Sequence, residues 1–124
     1  MKLLWVGLGG AIGAILRFLI AELVQRGTRQ GGFPWGTLAV NVIGCLVIGW
    51  VAGHALGRGG MTPPVRYFVV IGVLGGFTTF SSFGLETWSL AQAGQLSTAL
   101  ANIALQMLLG LGGVAVGMWV ARLG

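Results

Sequence analysis

"GVLGGFTTFSSFGLE" (residues 72–86) lies inside a long apolar run, yet it carries a glycine pair, four hydroxyl residues and three phenylalanines. A segment surrounded by hydrocarbon has to satisfy its own backbone hydrogen bonds, so an unbroken helix is the default there. Gly75–Gly76 is a weak helical spot, and the β-branched pair Thr78–Thr79 follows at once. The pattern predicts a helix broken near Gly75–Thr79, with carbonyl oxygens released around Gly75–Thr78. Unwound backbone at mid-membrane depth is tolerated only where protein or a cavity covers it, and such carbonyls commonly coordinate a cation. The alternative is a glycine-kinked helix whose hydroxyls bond back to their own carbonyls.

The rest of the chain supports a membrane setting. Of 124 residues, 56% are hydrophobic and 7% charged, whereas a soluble domain carries roughly a quarter charged residues. Seven basic and two acidic side chains cannot cover a water-facing surface. The charges and prolines mark the ends of apolar spans at about 3–24, 35–56, 67–90 and 98–121. Arg26 and Arg29 flank a loop ending at Pro34, Arg58 to Arg66 form the next loop, and Arg122 closes the last span. Each span reaches the roughly 20 residues needed to cross the hydrocarbon core. The expected fold is an all-α integral membrane protein, one four-helix transmembrane domain over residues 1–124. Its expected place is the plasma membrane, which in a bacterium is the inner membrane.

Other classes fit poorly. Lys2 and the apolar stretch after it resemble the start of a signal peptide, but Arg17 interrupts the cleavage region and no polar domain follows. Cys45 is the one cysteine, so no intrachain disulfide forms, and no Cys/His cluster suggests a metal. The basic residues are scattered through the loops, which favours anionic headgroups over nucleic acid. "GLGGAIG" follows no strand and is not a nucleotide loop, and nothing resembles a catalytic set. No enzyme is expected.

With four spans, both termini share a side with the 57–66 loop. That side holds Lys2, Arg58, Arg66 and Arg122, against Arg26 and Arg29 opposite, with Arg17 in the nearer half of its span. Such a weak bias permits insertion either way. The polar residues within the spans (Arg17, Glu22, Thr37, Asn41, Thr78, Thr79, Ser81, Ser82, Glu86, Asn102 and Gln106) fall mostly at the midplane or in that second half. His54 is the main exception. One chain would line only half a membrane, and an antiparallel second copy would supply the rest. The expected assembly is therefore a dual-topology homodimer. Gly-x-x-x-Gly pairs at 9/13, 49/53, 53/57, 72/76 and 113/117 suggest closely packed helices.

Phe80 and Phe83 share a helix face at i, i+3. Their ring edges are positive and suit a dehydrated small anion, although ordinary packing explains such a pair as well. Asn41 either binds helices together or offers its NH₂ to an anion. Asn102 and Gln106 form a polar stripe with the same two readings. Arg17 could attract an anion, snorkel to headgroups or pair with Glu22, and Glu86 could pair with Arg17.

"GGAIGAILRF" (9–18), "GTLAVNVIGCLVIG" (36–49) and "GGFTTFSSFGLE" (75–86) together resemble the Fluc, or CrcB-type, fluoride channels over essentially the whole chain. The resemblance implies an antiparallel homodimer with two fluoride pores and a central structural sodium ion, working as a passive leak that lowers cytoplasmic fluoride. By motif match, Gly75 and Thr78 would give sodium their carbonyls, Phe80 and Phe83 would be the pore rings, and Asn41 the pore amide. Ser81, Thr37 and Glu86 would lie along the polar track, and Arg17 would match the helix-1 arginine. Phe18, Leu46 and Ser82 depart mildly from the family's usual residues. Asn102 and Gln106 stand where many members carry Tyr and a small hydroxyl residue, so the fourth-helix part of the pore differs. A four-helix proton-coupled drug exporter would need a membrane-embedded carboxylate in the first helix, and a non-conducting subunit would tolerate changes at Asn41 and the Phe pair.

Overall fold

The computed structural model describes residues 1–28 and 32–124, so Arg29 lies outside the described residues. Among these, all regular structure is helical: α1 (Lys2–Gly27), α2 (Trp35–Gly57), a broken third span and α5 (Leu96–Ala121). The third span consists of α3, π-wound over Val65–Leu74 and α-helical over Gly75–Phe77, followed by α4 (Phe80–Gln92). Four spans are long and apolar enough to cross a membrane. Each helix runs slightly past the span the charges delimit. Large apolar side chains such as Leu8, Ile15, Leu111 and Trp119 face outward, as a lipid-facing surface requires.

The connections follow helix-end chemistry. After α2, Gly59 takes a positive φ of 79°, and Gly60 N–H donates back to Ala55 C=O at 2.8 Å. After α4, Gly94 does the same at φ 77°, and Gln95 N–H donates to Leu90 C=O at 2.9 Å. In both turns a left-handed glycine lets the chain reverse while a trailing amide satisfies a terminal carbonyl. Pro63 and Pro64 precede α3, where a missing N–H is harmless.

Two glycine seams set the packing. Along α1–α3, a Cβ on Gly9 would strike Phe68 C=O, one on Gly13 would strike Val73 C=O, and one on Gly76 would strike Gly10 C=O. Along α2–α5, a Cβ on Gly49 would strike Val114 C=O and one on Gly117 would strike Leu46 C=O. Thus four of the five glycine pairs lie where backbones touch, as close helix approach in lipid demands. The pair 53/57 is the exception, because nothing lies within 4 Å of a Cβ on Gly57. Gly44 of α2 makes room for the Thr78 methyl, and this brings α2 against the break.

Lys2 sits over the Tyr67 ring, 5.5 Å from its centroid, and Gly53 abuts Ala121. The start of α1 therefore neighbours the start of α3, and the end of α2 neighbours the end of α5. At the opposite end Gln25 binds Phe33 C=O and Gly36 N–H, tying α1 to the start of α2.

Candidate functional site

The break falls just beyond the glycines. Gly75 is still helical (φ −63°, ψ −36°), while Thr78 (ψ 156°) and Thr79 (φ −148°, ψ 114°) are extended. Both the amide and the hydroxyl of Thr78 donate to Leu74 C=O at 3.0 Å, and there the backbone ladder stops. Thr79 N–H donates to Asn41 Oδ1 at 2.9 Å, and Asn41 Nδ2 donates to Thr79 C=O at 3.1 Å. Thr79 then caps α4, its hydroxyl accepting from Ser82 N–H at 3.1 Å and meeting the hydroxyls of Ser81 and Ser82. A threonine before a helix start is a strong N-cap.

These bonds release two carbonyls. In a continuous helix, Gly75 C=O would accept from Thr79 N–H and Thr78 C=O from Ser82 N–H. The first donor goes to Asn41 and the second to Thr79 Oγ1.

A groove of about 360 Å³ follows the break, lined by Asn41, Gly75, Thr78, Phe80, Phe83 and Gln106 among others. The Phe80 and Phe83 rings lie 5.5 Å apart at 58°. Their environments differ sharply: Phe83 is 8% exposed and Phe80 79%. Both Asn41 N–H groups are engaged, one by Thr79 C=O and one by Gln106 Oε1 at 3.1 Å. The donor left over on the buried Gln106 is its Nε2, which has no protein partner among the described residues.

Toward the Gln25 end, a second cavity of about 380 Å³ is lined by Arg17, Phe18, Glu22, Thr37, Ser82 and Glu86, among others. Thr37 Oγ1 donates to Glu86 Oε1 at 2.6 Å, and Glu86 Oε2 is buried without a partner among the described residues. Thr79 lines both cavities and is the residue they share.

Two ion pairs that the sequence left open, Arg17–Glu22 and Arg17–Glu86, are absent among the described residues. Glu22 pairs with Arg26 instead of Arg17. The reason is spacing: four residues put two side chains on one helix face, while five put them about 140° apart. Glu86 bonds Thr37 instead of Arg17, although Arg17 faces the same cavity.

Ser81 is exposed and lines neither cavity, its hydroxyl 3.3 Å from that of Thr79. Asn102 is fully buried behind Phe83: its Nδ2 donates to Thr87 Oγ1 at 2.9 Å, and Thr87 donates to Phe83 C=O at 2.7 Å. Sequence reasoning missed the central part of Thr79, although a Thr three residues before Ser82 is a legible capping pattern. It also missed Thr87, for which mid-helix sequence offers no signal.

A family model described as "CrcB-like protein, Camphor Resistance (CrcB)" matches residues 4–118. The chain is 44% identical over 120 residues to the fluoride-specific ion channel FluC of Helicobacter pylori strain G27, covering 96% of this chain and 92% of that protein. It is 44% identical to the protein of that name from Methylobacillus flagellatus, covering 96% and 90%. For the one from Hahella chejuensis the identity is 41%, covering 98% and 94%.

Proposed function

The chain belongs to the CrcB-like family, and on that premise we propose that it is a passive fluoride-selective channel working as an antiparallel homodimer with two pores. What supports this reading is the pair of cavities that share Thr79, one lined by Arg17 and the other by Gln106 and the Phe pair, in a chain whose relatives are named fluoride-specific ion channels.

The residues suit the task. Arg17 gathers anions at the wider cavity without a carboxylate bound to it. The Ser82 hydroxyl, which accepts from Thr79 Oγ1 and keeps its own O–H, offers a rotatable donor beyond it, while Thr37 and Thr79 already donate to Glu86 and Ser82. Gln106 Nε2 is the uncommitted amide donor beside the Phe rings, whose positive edges add weak attraction without trapping the ion. Asn41 acts mainly by shaping the groove, since its donors are already bonded. A narrow path with weak donors favours a small hard anion over chloride. Asn102 supports this wall from behind, through Thr87.

A single chain leaves Phe80 exposed beside its groove, and most of the polar residues within the spans fall at the midplane or in one half. An antiparallel copy would cover Phe80 and supply the other half. The carbonyls of Gly75 and Thr78 fit a sodium ion there: they are neutral hard-oxygen donors whose helical partners are diverted. When bound, sodium supplies a fixed positive charge beside the pathway. The exporter reading lacks support, because Glu22 lies near the end of α1 and pairs with Arg26.

The test is efflux from liposomes loaded with fluoride or chloride, with valinomycin balancing charge. Fluoride efflux without chloride efflux, lost in Phe80→Ile or Phe83→Ile, is the expected outcome. Efflux of neither ion, or of both, would sink the proposal.

A further inference from the structure

The chain has two acidic side chains, Glu22 and Glu86, and both line the cavity at the Gln25 end. The opposite end, where α2 and α5 finish, carries His54, Arg58 and Arg122 with no acid among them. Gly53 draws the two helices together against Ala121 there. Beyond this contact opens a cleft of about 400 Å³ whose lining includes Gly53, His54, Arg58, Arg122 and the terminal Gly124. Neither arginine forms an ion pair among the described residues. The His54 ring packs on Trp50, with centroids 4.5 Å apart, and Trp50 is 47% exposed.

We infer that this cleft binds an anionic phosphate group, that of a phospholipid headgroup. Arg58 and Arg122 line one cleft beside His54, and the one carboxylate there, that of the terminal Gly124, balances only one of the two arginines, so an anion from outside can supply the remaining counter-charge. Guanidinium forks match phosphate oxygens bidentately. Trp50 lies two turns before the end of α2, and half-exposed tryptophans near helix ends are typical of the membrane–water boundary, where lipid phosphates lie. Basic pockets between transmembrane helices take such headgroups. Complementing helix C-termini would account for each basic residue singly, but it does not require them to share a cleft.

The probes are dioleoylphosphatidylglycerol and dioleoylphosphatidylcholine, titrated onto the detergent-solubilised full chain at near-physiological salt, where remote charges are screened. The anionic lipid is expected to bind about tenfold tighter than the zwitterionic one. Arg58→Gln with Arg122→Gln removes that preference. Lys2→Gln with Arg66→Gln, which takes two charges from the same end outside the cleft, keeps it. If the cleft pair fails to fold, Arg122→Lys replaces it and is expected to weaken binding several-fold, because the charge stays but the fork is lost. Displacement of the lipid by millimolar inorganic phosphate would assign the cleft to soluble phosphate, and failure to displace assigns it to the headgroup. Equal loss in both double variants, no loss in Arg122→Lys, or no preference in the unmodified chain overturns the inference.

Discussion

Asn41 holds Thr79 from both sides, its Oδ1 accepting the Thr79 amide at 2.9 Å and its Nδ2 donating to the Thr79 carbonyl at 3.1 Å. A side chain of α2 thus takes over bonds that a continuous third helix would make for itself. This clasp turns an interrupted helix into a defined wall.

Replacing Asn41 tests the clasp. Asn41→Ala leaves the buried Thr79 N–H without a partner, at a cost of about 1–3 kcal/mol, and should lower the unfolding midpoint in detergent and abolish fluoride efflux. Asn41→Asp keeps an acceptor for that amide but loses both donors and adds negative charge. It should unfold later than Asn41→Ala yet conduct no better. An Asp variant that conducts normally would remove Asn41 from the pathway.

The two phenylalanines should separate stability from conduction. Phe83 is buried and Phe80 is not, so Phe83→Ala should cost about 3–5 kcal/mol. Phe80→Ile, at a ring that only a second copy would cover, should cost less stability than Phe83→Ala while fluoride efflux falls to background. Parallel unfolding curves and efflux traces decide this, and a larger loss of stability in Phe80→Ile than in Phe83→Ala would contradict the assignment.

Glycine seams predict a positional contrast within one helix. Gly13→Ala drives a methyl onto the Val73 carbonyl, whereas Gly7 has nothing within 4 Å. The first should destabilise by about 1–3 kcal/mol, and the second should be neutral or slightly stabilising through helix propensity. Denaturant titration of both variants provides the check.

Thr87, half-buried beside the fully buried Asn102, offers a test away from the groove. Its hydroxyl donates to Phe83 C=O and accepts from Asn102 Nδ2. Thr87→Val keeps the shape but strands that amide, and should cost about 1–3 kcal/mol. Thr87→Ser should restore most of the loss. If Val and Ser behave alike, the hydroxyl carries no structural weight.

The spans were legible because formal charge and proline end them, and those signals are local. The break was legible too, but its cause was not. Glycines suggested a weak helix, yet Gly75 stays helical and Gly76 serves contact with α1. Thr78 and Thr79 are extended because Asn41, 38 residues away from Thr79, takes the amide. Partners so distant leave no periodic trace. Gln106 engaging Asn41 is the same kind of event at a separation of 65 residues. The π-winding of Val65–Leu74 likewise has no sequence signature that we can identify.

The seams through Gly9, Gly13, Gly49 and Gly117 also decide how the fold responds to temperature. Glycine has no rotamers to lose on packing, so bringing these helices together forfeits no side-chain entropy at the contact. The surrounding lipid is already apolar, and no ordered water is released when the seam closes. The attraction that remains is dispersion between backbones in contact. The loss of hydrophobic driving force that weakens water-soluble cores on cooling therefore has little purchase here, and these helix pairs should hold as firmly near freezing as at growth temperature.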